Sequence, residues 1–368
     1  MPIRLKQIQT ANSQRAERIR MRSSVRLCRN NANRTRRAAV TAILACALAA
    51  VAQAADETDA HAWLDRMTRA LATRNYDGRF LHLSNGRAEN MRIVHRVLDG
   101  VVTERLVSLD GSGREVIRNA NEVLCYLPDR RTVLVEKRTD VDPLLSTVPQ
   151  YNERLKANYT LTSPQSARVM GRIARLVNVV PRDDFRYGYR LWLDHESAMP
   201  LKSELCDSRG RAIEQIVFAD LQMPTAIADA ALSPGMSTEG FRWVRQEPMQ
   251  IIRPGPNGWT VVNPPQGFQL TISRMQKIAG FRALIQHMVF SDGLASVSVF
   301  IEPSNASQEK SGFSRMGTAH AFSTEIQDHR VTVVGEVPAN TVRVIANSVA
   351  REAPAKRRFD SLATPAKQ

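Results

Sequence analysis

Cysteine and aromatic residues are scarce in this chain, with four Cys and 6% Phe, Trp and Tyr among 368 residues. Long apolar runs are scarcer still: only Ala38 to Ala55 is both uncharged and predominantly apolar over a length relevant to a membrane. No H-E-x-x-H, C-x-x-C or G-x-S-x-G occurs, so zinc, thiol-redox and hydrolase readings lose their usual warrants. Phosphate-cradling loops are missing as well, because Gly111 and Gly113 connect strand patterns and open no helix. Acidic residues are outnumbered, 36 against 51 Lys and Arg, for a formal charge of +15. That excess invites a nucleic-acid reading, and its location removes the invitation.

Residues 1–37 carry eleven Lys or Arg and one acid, Glu17. The Ala-rich stretch follows, and Ala52-Gln53-Ala54 places small residues where signal peptidase reads them. A basic region, an apolar core and an A-x-A site describe a secretory signal over residues 1–54, cleaved after Ala54. An uncleaved anchor is the alternative, weakened by Thr41 and Gln53 within the run. A lipoprotein reading through Cys46 fits poorly, since Leu44 is bulky and the apolar run continues past the cysteine. The basic region is long, and Met21 is a second candidate start. Without residues 1–54 the charge falls to about +5, of which +3 lies in the tail 351–368, so residues 55–350 are near +2. Such a basic tail reads as a solvated, disordered end. The signal also takes Cys28 and Cys46 with it. Cys125 and Cys206 remain, in strand patterns far apart; two separate buried thiols is the simpler reading, and a disulfide stays open.

Some 314 residues from Ala55 onward suit two domains. Trp63, Leu64, Met67, Ala70 and Leu71 form one apolar helical face, with Thr58 or Asp59 as caps and Asn75 to Gly78 as terminator. The period then switches to two. Segments 80–83, 91–98, 101–109, 123–127 and 132–135 read as strands, with Asp99-Gly100 a two-residue hairpin turn. A helical excursion is expected over Pro143–Ala157. Strands resume at 168–180, 187–193, 202–206 and 213–218, and short links make the pairing antiparallel. Pro224 to Pro248 reads as the interdomain connection, with the linker proper at 234–250. In the second domain, 251–350, a strand is expected at 261–270. A hairpin turns at Ser291-Asp292-Gly293, and two strands lie near 317–326 and 331–336. A last helix starts at Pro338 with Val342, Ile345 and Val349 on one face.

Chemical candidates are few. The seven histidines lack ligand spacing and read as surface or satisfied core residues. Ser307-Gln308-Glu309-Lys310 matches S-x-x-K but sits in a polar loop without companion motifs, a weak hydrolase signal. Asp183-Asp184 beside Pro181 fits a turn in which Asp bonds its own backbone better than acid–base work. No cofactor and no metal site is expected. What remains is strand surface: in 187–194, Tyr187, Tyr189, Leu191 and Leu193 share one face, and Gly188, Arg190 and Trp192 the other. If the sheet curls, its concave face either packs a core or encloses an apolar ligand.

Phe185 to Asp194 (FRYGYRLWLD) with Met199-Pro200-Leu201-Lys202-Ser203 resembles the RseB/MucB family. So do Val289 to Ile301 (VFSDGLASVSVFI) and Val331 to Pro338 (VTVVGEVP). The likeness extends over about residues 58–350. It implies an α+β fold: an N-terminal LolA/LolB-like half-open antiparallel β-barrel with covering helices, over 55–233, plus a smaller C-terminal α+β domain. It also implies a periplasmic, non-enzymatic regulator of the envelope-stress (sigma-E) response. Such a protein binds the periplasmic domain of an RseA/MucA-type anti-sigma factor, shields it from site-1 proteolysis, and is released by lipopolysaccharide or another lipid. The resemblance places anti-sigma contacts in the C-terminal domain and interdomain region, here 224–248 and 302–320 only as regions. For the lipid cavity, alternation offers Phe80, Met91, Leu191, Trp192 and Leu193, each equally a core residue. The family pattern does not account for the long basic start and basic tail. A periplasmic lipid or lipoprotein carrier of the LolA type is the competing reading, and a Ser307 hydrolase a third. A homo-oligomer stays open; a nucleic-acid partner is not expected.

Overall fold

The computed structural model describes residues 59–111, 113–138, 152, 154–245, 258–276, 284–304 and 311–351. The expected signal segment, the basic tail, most of the 143–157 excursion and Ser307 lie outside the described residues. Trp63, Leu64, Met67, Ala70 and Leu71 do form one helix face: α1 spans residues 59–73, and all five are buried. The helix ends earlier than expected. Tyr76, read as part of its terminator, opens the first strand and is fully buried.

The first half continues as β1 (Tyr76–Ser84), β2 (Arg87–Leu98), β3 (Val101–Ser108), β4 (Glu115–Arg118), β5 (Glu122–Leu127) and β6 (Thr132–Lys137). After a short α2 (Leu155–Asn158) come β7 (Tyr159–Thr162), β8 (Ser166–Val169), β9 (Arg172–Pro181), β10 (Gly188–Asp194), β11 (Pro200–Cys206), β12 (Ala212–Gln222) and β13 (Arg242–Arg245). The Asp99-Gly100 turn forms as expected, with φ of 49° and 76° and Leu98 opposite Val101. Two other turns of this kind were not anticipated. Asn85-Gly86 joins β1 to β2, and Met170-Gly171 splits the single strand expected at 168–180 into the hairpin β8–β9. Met170 has φ 52°, a conformation its side chain does not advertise.

These strands make one 13-stranded sheet in the order β13-β6-β5-β4-β3-β2-β1-β12-β11-β10-β9-β7, with β8 hydrogen-bonded to β9. Buried residues of seven consecutive strands, from β2 through to β7, belong to one core cluster with α1. Seven flat strands would be about 30 Å wide, whereas a helix is about 10 Å across. The sheet must therefore curl round α1 to reach it. This is the half-open barrel, and the helix fills its concave side.

The described part of the expected 224–248 connection, up to Arg245, runs along the sheet. Residues 229–236 pack on the outer sheet face, where the amide of Gly235 donates to Glu115 Oε1 (3.1 Å) and Arg105 Nη1 donates to the carbonyl of Ala231 (3.3 Å). Part of the expected 234–250 linker then becomes β13, which pairs in parallel with β6. The sheet is thus antiparallel except at this edge.

The second half contains β14 (Trp259–Val261), β15 (Gln269–Gln276), β16 (Ile285–Ser291), β17 (Ser296–Pro303), β18 (Gly312–Met316), β19 (Ala319–Ile326) and β20 (His329–Gly335), then α3 (Ala339–Asn347) and β21 (Val349–Arg351). Its main sheet runs β15-β16-β17-β20-β19-β18, and β14 pairs separately with β21. The strand expected at 261–270 is broken: Pro264-Pro265 removes two donors and Gly267 turns at φ 88°. Pro338 is the residue before α3, at ψ 146°, instead of its first residue. Val342 and Ile345 are buried on the face of α3, but Val349 belongs to β21. A second core gathers α3, β16, β17 and β20. Both halves lie within a single unit, Asp56–Gln368.

Candidate functional site

The joint between the two halves is built round Arg186, on the turn between β9 and β10. Its side chain is wholly buried, yet every edge of the guanidinium is used. Nη1 donates to Asp292 Oδ2 at 2.6 Å, Nε to Asp183 Oδ1 at 3.0 Å and Nη2 to the carbonyl of Gln266 at 2.5 Å. Asp292, on the β16–β17 hairpin, is equally buried, and Tyr159 Oη donates to its Oδ2 (2.9 Å). Its Oδ1 accepts the amides of Leu294 (2.8 Å) and Ala295 (2.7 Å), which fixes the carboxylate in the turn. The guanidinium also lies 5.0 Å from the Phe268 ring centre and 5.7 Å from that of Tyr159. Breaking one side of such a buried, fully bonded pair typically costs about 3–5 kcal/mol.

Further bonds flank this pair. Thr341 Oγ1 on α3 donates to the Phe185 carbonyl (2.8 Å), and Asn152 Nδ2 to that of Gly293 (2.6 Å). Asp183 does bond its own backbone two residues on, at the amide of Phe185 (3.0 Å), as a turn residue should, and in addition it holds Arg186.

A second polar contact crosses the joint at β1, β12 and the β18–β19 turn. His82 Nε2 is 3.4 Å from Glu214 Oε1, and Ser84 Oγ donates to Glu214 Oε2 (3.3 Å). Thr318 Oγ1 reaches the same oxygen at 3.4 Å and hydrogen-bonds Glu336. The Glu214 carboxylate raises the His82 pKa, while burial raises that of Glu336. Nearby, His320 Nδ1 is 2.8 Å from the Val337 carbonyl and 3.3 Å from Tyr187 Oη. Its proton goes to the carbonyl, so the nitrogen is no acceptor for the tyrosine.

Two cavities border this region. One of about 350 Å3 lies along β9, β10 and the 207–210 turn, and Asn178, Arg182, Asp184, Arg190 and Cys206 are among its walls. The other, about 150 Å3, lies within the joint, between Tyr159, Tyr187 and Tyr189 on one side and Leu294, Ala295, Ser296 and Glu336 on the other. Phe80, Met91, Leu191, Trp192 and Leu193 line neither. Phe80, Leu191 and Leu193 are buried in the core under α1, and Met91 and Trp192 pack against it. Lys202 Nζ sits 4.4 Å from the Trp192 ring centre.

Among the described residues no three His, Cys, Asp or Glu side chains cluster to hold a metal ion, and no helix is long and apolar enough to cross a membrane. Cys125 and Cys206 are separate thiols. Of the histidines, His95 is the most enclosed. It stacks on Tyr76 at 4.5 Å, and its Nε2 is 3.8 Å from Glu104 Oε1, itself paired with Arg118. Tyr76, His95, Glu104 and Arg118 are exact register partners across β1 to β4, a buried polar ladder that residue spacing does not reveal.

The profile of the MucB/RseB N-terminal domain matches residues 59–236, and that of the MucB/RseB C-terminal domain residues 253–350. The chain is 32% identical over 311 residues to the sigma factor AlgU regulatory protein MucB of Pseudomonas aeruginosa, covering 83% of this chain and 94% of that one. It is 28% identical over 296 residues to the sigma-E factor regulatory protein RseB of Escherichia coli, covering 78% and 89%. The solved complex of Pseudomonas aeruginosa MucA and MucB superposes with a TM-score of 0.64 at 31% identity, over 80% of this chain and 99% of that one. With profiles on both halves and a relative aligned across the joint, the chain belongs to the MucB/RseB family.

Proposed function

We propose that this protein is an exported, periplasmic regulator that binds the periplasmic segment of a membrane-spanning anti-sigma factor. Bound there, it shields the segment from site-1 proteolysis and so represses the envelope-stress sigma response. The observation that carries this reading is the buried Arg186–Asp292 joint. It holds two dissimilar halves as one surface, in a chain whose relative MucB is found in complex with MucA. No step of this function makes or breaks a bond; it works by occupancy.

Lipid release fits the packing of α1. The concave face that a lipid would use is filled by Trp63, Leu64, Met67 and Leu71 against Phe80, Leu191 and Leu193. A lipid chain therefore enters by displacing α1, whose first turn is held by Arg175 Nη2 donating to Asp59 Oδ2 at 2.5 Å. Phe80, Met91, Leu191 and Leu193 would then line the opened cavity, while Trp192, on the other face of β10 beside Lys202, would stay outside it. A lipid that favours this opened form removes the regulator from its partner by mass action. The lipid-carrier reading needs only the first half and leaves the joint without a purpose.

The test is a cleavage assay of the anti-sigma periplasmic segment by its site-1 protease. Saturating protein is expected to slow cleavage, and lipopolysaccharide to restore it. Unchanged cleavage at saturation overturns the proposal.

A further inference from the structure

The cavity in the joint has an unusual wall: three tyrosines and one carboxyl group, with no cation among its lining residues. Tyr159 uses its hydroxyl on Asp292, whereas the Tyr189 hydroxyl has no partner among the described residues. After burial, what acts on Tyr189 is negative charge from Glu336, Glu214 and Asp292. Asp292 is neutralised by Arg186, and Glu214 is approached by His82. Glu336 receives the Thr318 hydroxyl, and the positive charge that acts on it is that of His82, a weak influence beside the burial that raises its pKa. Enclosed negative potential walled by tyrosine rings is the chemistry that recognises an organic cation. The space, about 150 Å3, admits a compact headgroup and no acyl chain.

We propose that this interdomain cavity binds a small organic ammonium group, with Glu336 as its counter-ion and Tyr187 and Tyr189 as its walls. Because Tyr159, Tyr187 and Tyr189 belong to one half and Glu336 to the other, an occupied cavity ties the halves together. Affinity should rise with pH, since Glu336 gains charge and His82 loses it in the same direction. The other groups around the site are Glu214, paired to His82, and Asp292, paired to Arg186. Arg315 and Asp207 act on Tyr187 with opposite signs. His320 donates from Nδ1 to the Val337 carbonyl and lies 3.3 Å from the Tyr187 hydroxyl, behind the cavity wall.

The experiment is calorimetric titration of the purified full chain with choline chloride and with ethanolamine hydrochloride. The neutral carbon isostere of choline, dimethylbutanol, is the control. Saturable binding of the two cations is expected, about tenfold weaker for E336Q and weaker again below the Glu336 pKa. Dimethylbutanol should fail to compete. Vesicles of phosphatidylethanolamine against vesicles of phosphatidylglycerol distinguish the source. Binding only by the free amines assigns a soluble amine, and binding also by the first vesicles assigns a lipid headgroup. Absence of saturable binding by either amine overturns the proposal, as does binding that E336Q leaves unchanged or that dimethylbutanol matches. If E336Q lost its fold by circular dichroism, the pH profile of the native chain would decide: affinity flat or falling as pH rises refutes the site.

Discussion

Arg186 and Asp292 are 106 residues apart in sequence and meet at 2.6 Å with neither side chain touching solvent. Each belongs to a different half of the molecule, and each is fully coordinated by other groups. Replacing Asp292 with Ala strands a guanidinium in the interior and should lower unfolding stability by about 3–5 kcal/mol. The double variant R186M/D292L should recover a large part of that loss, because no lone charge remains. Urea unfolding of the three variants measures this, and equal losses in single and double variants would count against the joint as described.

Two histidines should give opposite pH signatures. The Glu214 carboxylate raises His82 above its usual 6.5, so its contribution is present below that value and lost as pH climbs through the raised pKa. The stability difference between native protein and H82Q should therefore be largest near about pH 5.5 and fade by about pH 8, and stay under about 1 kcal/mol. Burial depresses His95 to about 4, so its neutral ring stabilises above 6.5 and that stability is lost as pH falls toward 4. The H95Q variant should have a shallower acid slope by up to about 3 kcal/mol. Denaturation midpoints across this pH range test both; parallel profiles would refute the assignments.

Gly188 sits where β10 presses on β9. A Cβ there would lie 2.7 Å from the Val179 carbonyl oxygen and 2.9 Å from Pro181 Cδ. The G188A variant must push the strands apart, at a cost of about 1–3 kcal/mol, read as a lower melting temperature. Native-like melting would mean that the strand edge yields freely.

Cutting the Asp59–Arg175 contact should loosen α1 without touching the core. The D59N variant is expected to take up a fluorescent lipid several-fold faster than the native chain while melting within about 1 kcal/mol of it. Uptake at the native rate would show that α1 is not the gate.

The local features were legible where one residue type does one job. The apolar spacing of α1, the Asp99-Gly100 turn and the Ser291–Gly293 hairpin all follow from side-chain period or from a required positive φ. The Met170 turn was hidden because nothing in a methionine marks it for that conformation. Strand β13 was hidden because Pro, Gly and Ser around it resemble a linker, and its partner β6 is far away in sequence. The joint was the deepest omission. Arg186 and Asp292 stand inside the very strings that resemble the family, yet alternation cannot say that an arginine will be buried. Only the folded arrangement brings their charges together. The cavity candidates show the converse: alternation put Leu191 and Leu193 on one face of the strand, but could say neither that this face is the inner one nor that α1 would occupy it.

The shared ion pair also binds the two halves in heredity. A gene fusion that exchanged the second half for a stranger lacking Asp292 would inherit an interior cation with no anion to meet it. The halves of this chain are therefore not interchangeable parts, and variation at either position must be tolerated by its distant counterpart before it can persist.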